Sequence, residues 1–222
     1  MLCSTDNLYM KTDHNNPKEQ AGAMENYYRF QSKIYDLTRW SFLFGRAEVI
    51  KAIPIERNAE VNILEVGCGT AFNTKLLAET FDKATISAYE VSEDMVNLSR
   101  KKTAPFGDRV KIIHEPYGMD SDGLVGTADA ILFSYSLTMI NPQWEDLIKQ
   151  AHKDLKPGGY IAVVDFHDSK FQWFKKHMGN NHVRMDSHLQ PLLNELFTPV
   201  VDKVSTAYTG IWEYIMFIGK KA

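Results

Sequence analysis

The chain has 222 residues, 44% of them hydrophobic and 24% charged, ordinary globular values that exclude a disordered, collagenous or low-complexity polypeptide. A formal charge of -3 at pH 7 provides no basic excess for neutralising phosphates, so nucleic acid is not expected as a partner. At about 100–200 residues per domain, the length fits one large domain or one domain with additions, enough to bury a core unaided.

The two cysteines, Cys3 in a polar start and Cys68 between two glycines, suit free thiols and a cytoplasmic, reducing compartment better than a disulfide. No apolar run reaches the roughly eighteen residues of a membrane span, and the first residues lack the apolar stretch of a signal peptide.

Residues 1–22 are polar, broken at Asn15-Asn16-Pro17 and without periodicity, which predicts a mobile tail. Residues 23–58 are aromatic-rich, with apolar positions at mixed three and four spacings. They predict two helices broken around Gly45 and closed at Pro54. Residues 59–222 then alternate short apolar runs with amphipathic stretches. Strands are expected over 62–66, 85–89, 110–114, 128–133 and 160–165, and helices over 71–81, 92–103 and 143–155. Such alternation implies right-handed crossovers and a parallel sheet covered on both faces. Residues 200–209 and 212–219 read as adjoining strands around Gly210, a hairpin that adds antiparallel strands.

The most informative stretch is Ile63-Leu64-Glu65-Val66-Gly67-Cys68-Gly69-Thr70-Ala71, an apolar strand running into a glycine turn and a helix. In a doubly wound sheet this is the ligand crevice at the strand carboxyl ends. A dinucleotide fingerprint wants a third glycine where Phe72 stands, and a phosphate loop wants Gly-Lys-Ser/Thr, which is absent. Glu65, two positions before the first glycine, is awkward beside pyrophosphate but suits a ligand with an ammonium and a sulfonium, such as S-adenosylmethionine. Glu90, at the end of the next strand, can accept from both ribose hydroxyls of either NAD or S-adenosylmethionine.

With these motifs and Leu155-Lys156-Pro157-Gly158-Gly159, residues 60 to 165 resemble the class I S-adenosylmethionine-dependent methyltransferases. The resemblance implies a Rossmann-like, doubly wound, mostly parallel seven-stranded sheet with the C-terminal hairpin and an N-terminal helical lid. It implies a cofactor shell of Glu65, Gly67, Cys68, Gly69, Thr70, Asn73, Glu90, Val91, Met95, Glu115 and Ser134. Ala71 stands where many members have a third glycine, and Pro116 lacks the N–H that often reads adenine, which displaces that donor to Tyr117 or removes it.

The N-terminal run Ile34-Tyr35-Asp36-Leu37-Thr38-Arg39-Trp40-Ser41-Phe42-Leu43-Phe44-Gly45-Arg46 is similar to methyltransferases that make betaine lipids. Tyr135-Ser136-Leu137-Thr138-Met139-Ile140, Val164-Asp165-Phe166-His167-Asp168 and His182-Val183-Arg184-Met185 add to it. Those enzymes convert diacylglyceryl-homoserine to diacylglyceryl-trimethylhomoserine. The resemblance implies acceptor contacts at Tyr27, Tyr28, Tyr35, Arg39, Trp40, Ser136 and Arg184, with Tyr135 and His167 framing the amine as catalytic groups. Arg46 is a further cation for the headgroup carboxylate, and His167 could instead serve a structural hydrogen bond to Asp168. A lipid substrate at a membrane surface would give a cytoplasmic protein a peripheral place on the inner face, with Trp40-Ser41-Phe42-Leu43-Phe44 at the interface or packed as a lid. Histidines 167, 177, 182 and 188 match no zinc spacing, so no metal is expected. Two alternatives stay open: a small-molecule or quinone methyltransferase, and a non-catalytic S-adenosylmethionine-binding sensor or partner subunit.

Overall fold

The computed structural model describes residues 42–118 and 121–222. The expected tail, and the part of the expected lid that precedes Phe42, lie outside the described residues. In chain order the elements are α1 (Arg46–Ala52), β1 (Asn62–Val66), α2 (Phe72–Thr80), β2 (Thr85–Tyr89), α3 (Glu93–Thr103), β3 (Val110–Ile113) and β4 (Ala128–Ser134). They continue with α4 (Trp144–Asp154), β5 (Leu155–Phe166), α5 (Gln172–Gly179), α6 (Leu189–Leu196), β6 (Thr198–Ala207) and β7 (Trp212–Lys220).

Seven strands make one sheet in the order β3-β2-β1-β4-β5-β7-β6. The first five run parallel, and β7 lies antiparallel between β5 and β6. The fold is the Rossmann-like, doubly wound arrangement expected, with the hairpin at its end. The strand order reverses between β1 and β4, so the crevice of the sheet opens at the carboxyl ends of those two strands.

Side chains alternate across each strand, and β5 feeds both faces. Ala162, Val164 and Phe166 pack with Ile50 of α1, Leu77 of α2 and Trp212 on one face; Ile161 and Val163 pack with Ile148 of α4, Leu193 of α6 and Phe217 on the other. These positions are nearly all fully buried, which explains why the central strands read as continuous apolar runs.

Differences from the expected elements have local causes. Strand β5 starts at Leu155 instead of Tyr160, because Leu155 pairs with Ala128 and a register shift lets the Pro157-Gly158 segment stay in the ladder. A Cβ on Gly159 would stand 3.0 Å from the Lys156 carbonyl oxygen and 3.1 Å from that of Asp129, backbone atoms that leave little space for a side chain. Strand β6 stops at Ala207, since Tyr208, Thr209 and Gly210 all take positive φ and turn the chain. Helices α5 and α6, eight residues each, fall in a stretch where no element was expected.

Helix α1 belongs to the main core: Val49, Ile50 and Ile53 are buried against α2 and the sheet. Its start is set by Gly45, at φ 79°, and a Cβ there would meet Tyr214 Cε2 at 2.9 Å and Val164 Cγ2 at 3.1 Å. Gly45→Ala combines left-handed backbone strain with overpacking, and should cost about 1–3 kcal/mol. An unfolding midpoint in urea equal to that of the unmodified protein would contradict this account of the break.

Candidate active site

The crevice is built on the turn between β1 and α2. Gly67 and Gly69 have φ of 75° and 54°, and Ala71 joins them in the left-handed region at 59°. Ala71 therefore takes the conformation that the family's third glycine would adopt freely, with its methyl fully buried. A Cβ on Gly67 would stand 3.1 Å from Ser136 Cβ, so the turn after β1 and the loop after β4 touch through the missing side chain. Leu43, Arg46, Gly67, Cys68, Gly69, Thr70, Phe72, Asn73, Lys102 and Ser134 line the cleft.

Glu90 holds the floor together. Its Oε2 accepts from the Gly69 amide at 2.8 Å, and its Oε1 accepts from the amides of Val91 at 2.9 Å and Ser92 at 3.0 Å. One carboxylate thus ties the turn after β1 to the turn after β2. Its oxygens offer about four lone-pair sites, so room remains for a donor hydroxyl.

Glu65 is fully buried and lies beneath the turn, where Asn73 Nδ2 donates to it at 3.2 Å and Thr74 Oγ1 at 2.5 Å. Burial raises its carboxyl from 4.5 to about 7 against those hydrogen bonds. Asp165, equally buried and raised by burial to about 6, accepts from the Leu137 amide at 2.9 Å, the Thr138 hydroxyl at 2.5 Å and the Phe166 amide at 2.8 Å. It brackets the loop after β4 onto the end of β5, a role the sequence reading did not assign to it.

The other expected cofactor residues are distributed unevenly. Cys68 and Thr70 line the cleft, Cys68 as a buried thiol pushed up by burial. Val91 is half-buried, with its carbonyl 3.0 Å from His114 Nε2. Met95 is packed inside with its amide on the Ser92 hydroxyl, and Glu115 is exposed beyond β3.

Neither Tyr135 nor His167 is among the residues that line the cleft. Tyr135 packs with Phe166, ring centroids 4.8 Å apart, on the α1 side, and its hydroxyl donates to the Phe44 carbonyl at 2.8 Å. Burial pushes its phenol well up, so it acts here as a clasp on the segment before α1. His167 lies just past the end of β5, its amide donating to the Glu213 carbonyl at 2.8 Å; its imidazole is lowered by burial while the nearby carboxylates of Glu213, Asp168 and Asp202 oppose that shift. Asp168 pairs with Lys175 and accepts from the Ser169 amide at 2.6 Å, partners other than His167.

Arg184 is engaged by Asp186 at 2.8 Å, and Ser136 is buried with an unpartnered hydroxyl. Tyr27, Tyr28, Tyr35, Arg39 and Trp40 lie outside the described residues. Arg46, whose guanidinium sits 4.1 Å above the Phe72 ring, lines the cleft with Leu43 and Lys102. Phe72 was read only as a missing glycine, and nothing in the spacing singled out Lys102, on the helix after β2.

Buried polar atoms without partners test whether S-adenosylmethionine fits. Asn73 Oδ1 and Ser134 Oγ are both orphaned, and both residues line the cleft. Unpaired buried polar atoms cost about 1–3 kcal/mol each, so their clustering beside a ribose-type acceptor describes a site made for a ligand with ammonium and hydroxyl donors. The residues fit: Asn73 and Ser134 would take the polar end, Glu90 the hydroxyls, and the Gly67–Thr70 backbone the close approach. Among the described residues no cluster of His, Cys, Asp or Glu could hold a metal, and no helix is long and apolar enough to cross a membrane.

Sheet order, switch-point crevice and the acidic anchors Glu65 and Glu90 form a Rossmann-like fold whose crevice suits S-adenosylmethionine. Comparison with known proteins agrees: residues 63–159 match the family model described as a methyltransferase domain. Malonyl-[acyl-carrier protein] O-methyltransferase of Priestia megaterium is 34% identical over 115 residues, 52% of this chain and 40% of that protein. Demethylmenaquinone methyltransferase of Staphylococcus epidermidis is 24% identical over 133 residues, 59% of this chain and 53% of that protein. The chain spans about half the length of these curated relatives, or less. In fold, 1,6-didemethyltoxoflavin-N1-methyltransferase of Burkholderia thailandensis, solved with bound 1,6-didemethyltoxoflavin and S-adenosylhomocysteine, superposes with a TM-score of 0.71 at 16% identity. That match covers 93% of this chain and 91% of that one.

The raised carboxyl of Glu65 has a consequence for stability. Between 4.5 and about 7 the folded state holds this proton while the unfolded chain has lost it, so stability falls as pH rises through that window. Asp165 adds to the same trend up to about 6. Glu65→Gln should flatten the slope, raising stability at pH 8 relative to the unmodified protein, as measured by urea midpoints on either side of the window. An unchanged slope would contradict the assignment.

Proposed function

We propose that the chain is an S-adenosylmethionine-dependent N-methyltransferase acting on the amino group of a lipid headgroup, converting diacylglyceryl-homoserine to diacylglyceryl-trimethylhomoserine in three transfers. The observation that carries this reading is an aromatic collar continuous with the cleft. Phe44 stacks among Tyr208, Trp212 and Tyr214 with ring centroids 5.5, 5.9 and 6.2 Å away, and Phe42 meets Tyr208 at 5.7 Å. Leu43 and Arg46, on the same stretch of chain, line the cleft itself. Phe42, Phe44 and Tyr208 remain exposed, an apolar approach for acyl chains. Their ring faces also suit a growing quaternary ammonium, at about 0.5–2 kcal/mol per cation–π contact.

Bound S-adenosylmethionine supplies an electrophilic methyl for in-line displacement. The chain's own part is alignment and exclusion of water. Tyr135 holds the Phe44 segment over the cleft, and Ser136 faces the glycine turn with a hydroxyl available to the acceptor. Arg46 brings a fork-shaped cation suited to a carboxylate to the cleft wall. The aromatic residues before Phe42 and Arg39 would extend the collar. A second reading, methylation of an isoprenoid quinone, draws on the likeness to demethylmenaquinone methyltransferases and on the same apolar collar.

Purified protein incubated with labelled S-adenosylmethionine and diacylglyceryl-homoserine should yield lipid carrying one, two and three added methyls by mass analysis. Phe44→Ser should raise the KM for the lipid by about tenfold, the loss of one aromatic contact to the substrate, with the KM for the cofactor unchanged. Label confined to the cofactor, although the cofactor binds, would overturn the lipid reading; label in a demethylated quinone instead would establish the second.

A further inference from the structure

Resting on the lipid-headgroup reading of the cleft, we propose that the segment from Lys170 to Lys176 is a membrane-docking wedge that seats the crevice end of the sheet on an anionic phospholipid bilayer. Trp173 is 63% exposed and Phe171 43%, large apolar surface that a free globular chain rarely leaves in water. The two rings stand together, centroids 6.2 Å apart, and Trp173 leans on the edge of buried Phe174, 5.6 Å away. Phe174 is packed into the core, so the wedge is held rigidly on α5.

The wedge is tied to the rim of the cleft. It leaves β5 at its carboxyl end, where Ser169 Oγ donates to the Ile211 carbonyl at 2.6 Å and accepts from the Phe171 amide at 3.1 Å. Ile211 adjoins the tip of the β6–β7 hairpin, whose Tyr208 contacts Phe42 and Phe44. Phe171 and Trp173 follow the carboxyl end of β5, and Tyr208 and Phe42 meet at the hairpin tip that Ser169 holds, the end of the sheet where the crevice opens.

Charge selects the occupant. From Ser169 to Met185 the sequence contains Lys170, Lys175, Lys176 and Arg184 and no acidic residue, in a chain whose net charge is -3. Lys170 and Lys176 are exposed, while Lys175 is taken by Asp168. Aromatic rings flanked by lysines on an otherwise acidic protein match a bilayer with anionic headgroups, into which the rings insert while the lysines remain at the headgroup level. A protein partner would be the outcome if vesicles are ignored.

The full chain should co-sediment with vesicles of phosphatidylcholine and phosphatidylglycerol in equal parts, and far less with phosphatidylcholine alone. The double variant Phe171→Ser, Trp173→Ser should lose about tenfold or more in vesicle affinity, and Lys170→Glu with Lys176→Glu a similar amount. Calorimetric affinity for S-adenosylhomocysteine should be unchanged in both, since none of the four residues lines the cleft. Vesicle binding by the aromatic variant equal to that of the unmodified chain, or no binding by the unmodified chain, would overturn the wedge. Diacylglyceryl-homoserine in detergent micelles separates the two readings. Methylation there without vesicle binding removes the wedge alone, and vesicle binding without methylation removes the headgroup reading alone.

Discussion

The Glu90 carboxylate is the tie on which the crevice depends. Accepting from Gly69, Val91 and Ser92, it joins the glycine turn after β1 to the start of α3, beside the Gly67 and Cys68 amides that donate to the Tyr89 carbonyl. Hydrogen bonds to a charged acceptor are worth about twice their neutral counterparts, so the tie fixes the backbone before any ligand arrives. A ligand hydroxyl then meets an acceptor already oriented, and little ordering remains to be done on binding.

Two further buried acidic groups, Glu65 and Asp165, bracket neighbouring segments in the same way. Glu65 joins β1 to α2 through Thr74 and Asn73, and Asp165 joins β5 to the loop after β4 through Leu137 and Thr138. Each is raised by desolvation despite its hydrogen bonds, so both are costly to keep ionised. The consequence is a crevice whose walls are set by polar brackets, with Asn73 Oδ1 and Ser134 Oγ left open between them. Such a site stores cost in the free protein that a matching ligand relieves.

Much of this was legible in the sequence because it is local. The apolar runs at Ile63–Val66 and Ala128–Phe133 are buried on both faces, and the turn residues Gly67 and Gly69 sit at positive φ, so strand ends and crevice could be located from spacing alone. Partnerships between distant segments were not legible. Nothing near Tyr135 announces that its hydroxyl will donate to the Phe44 carbonyl, 91 residues earlier, nor anything near His167 that its amide will bond to Glu213. The eight-residue helices α5 and α6 offer too few turns for a clear period. The lysine-flanked rings of α5 were visible as residues, but their exposure follows from Phe174 and Met178 taking the inward face.

The most direct test is a crystal structure with S-adenosylhomocysteine. The account requires the ribose hydroxyls within hydrogen-bond distance of Glu90 and the orphaned Asn73 Oδ1 and Ser134 Oγ newly partnered by the ligand, with the Gly69–Glu90 bond intact. A ligand seated elsewhere, or one that leaves both atoms unpaired, would contradict it.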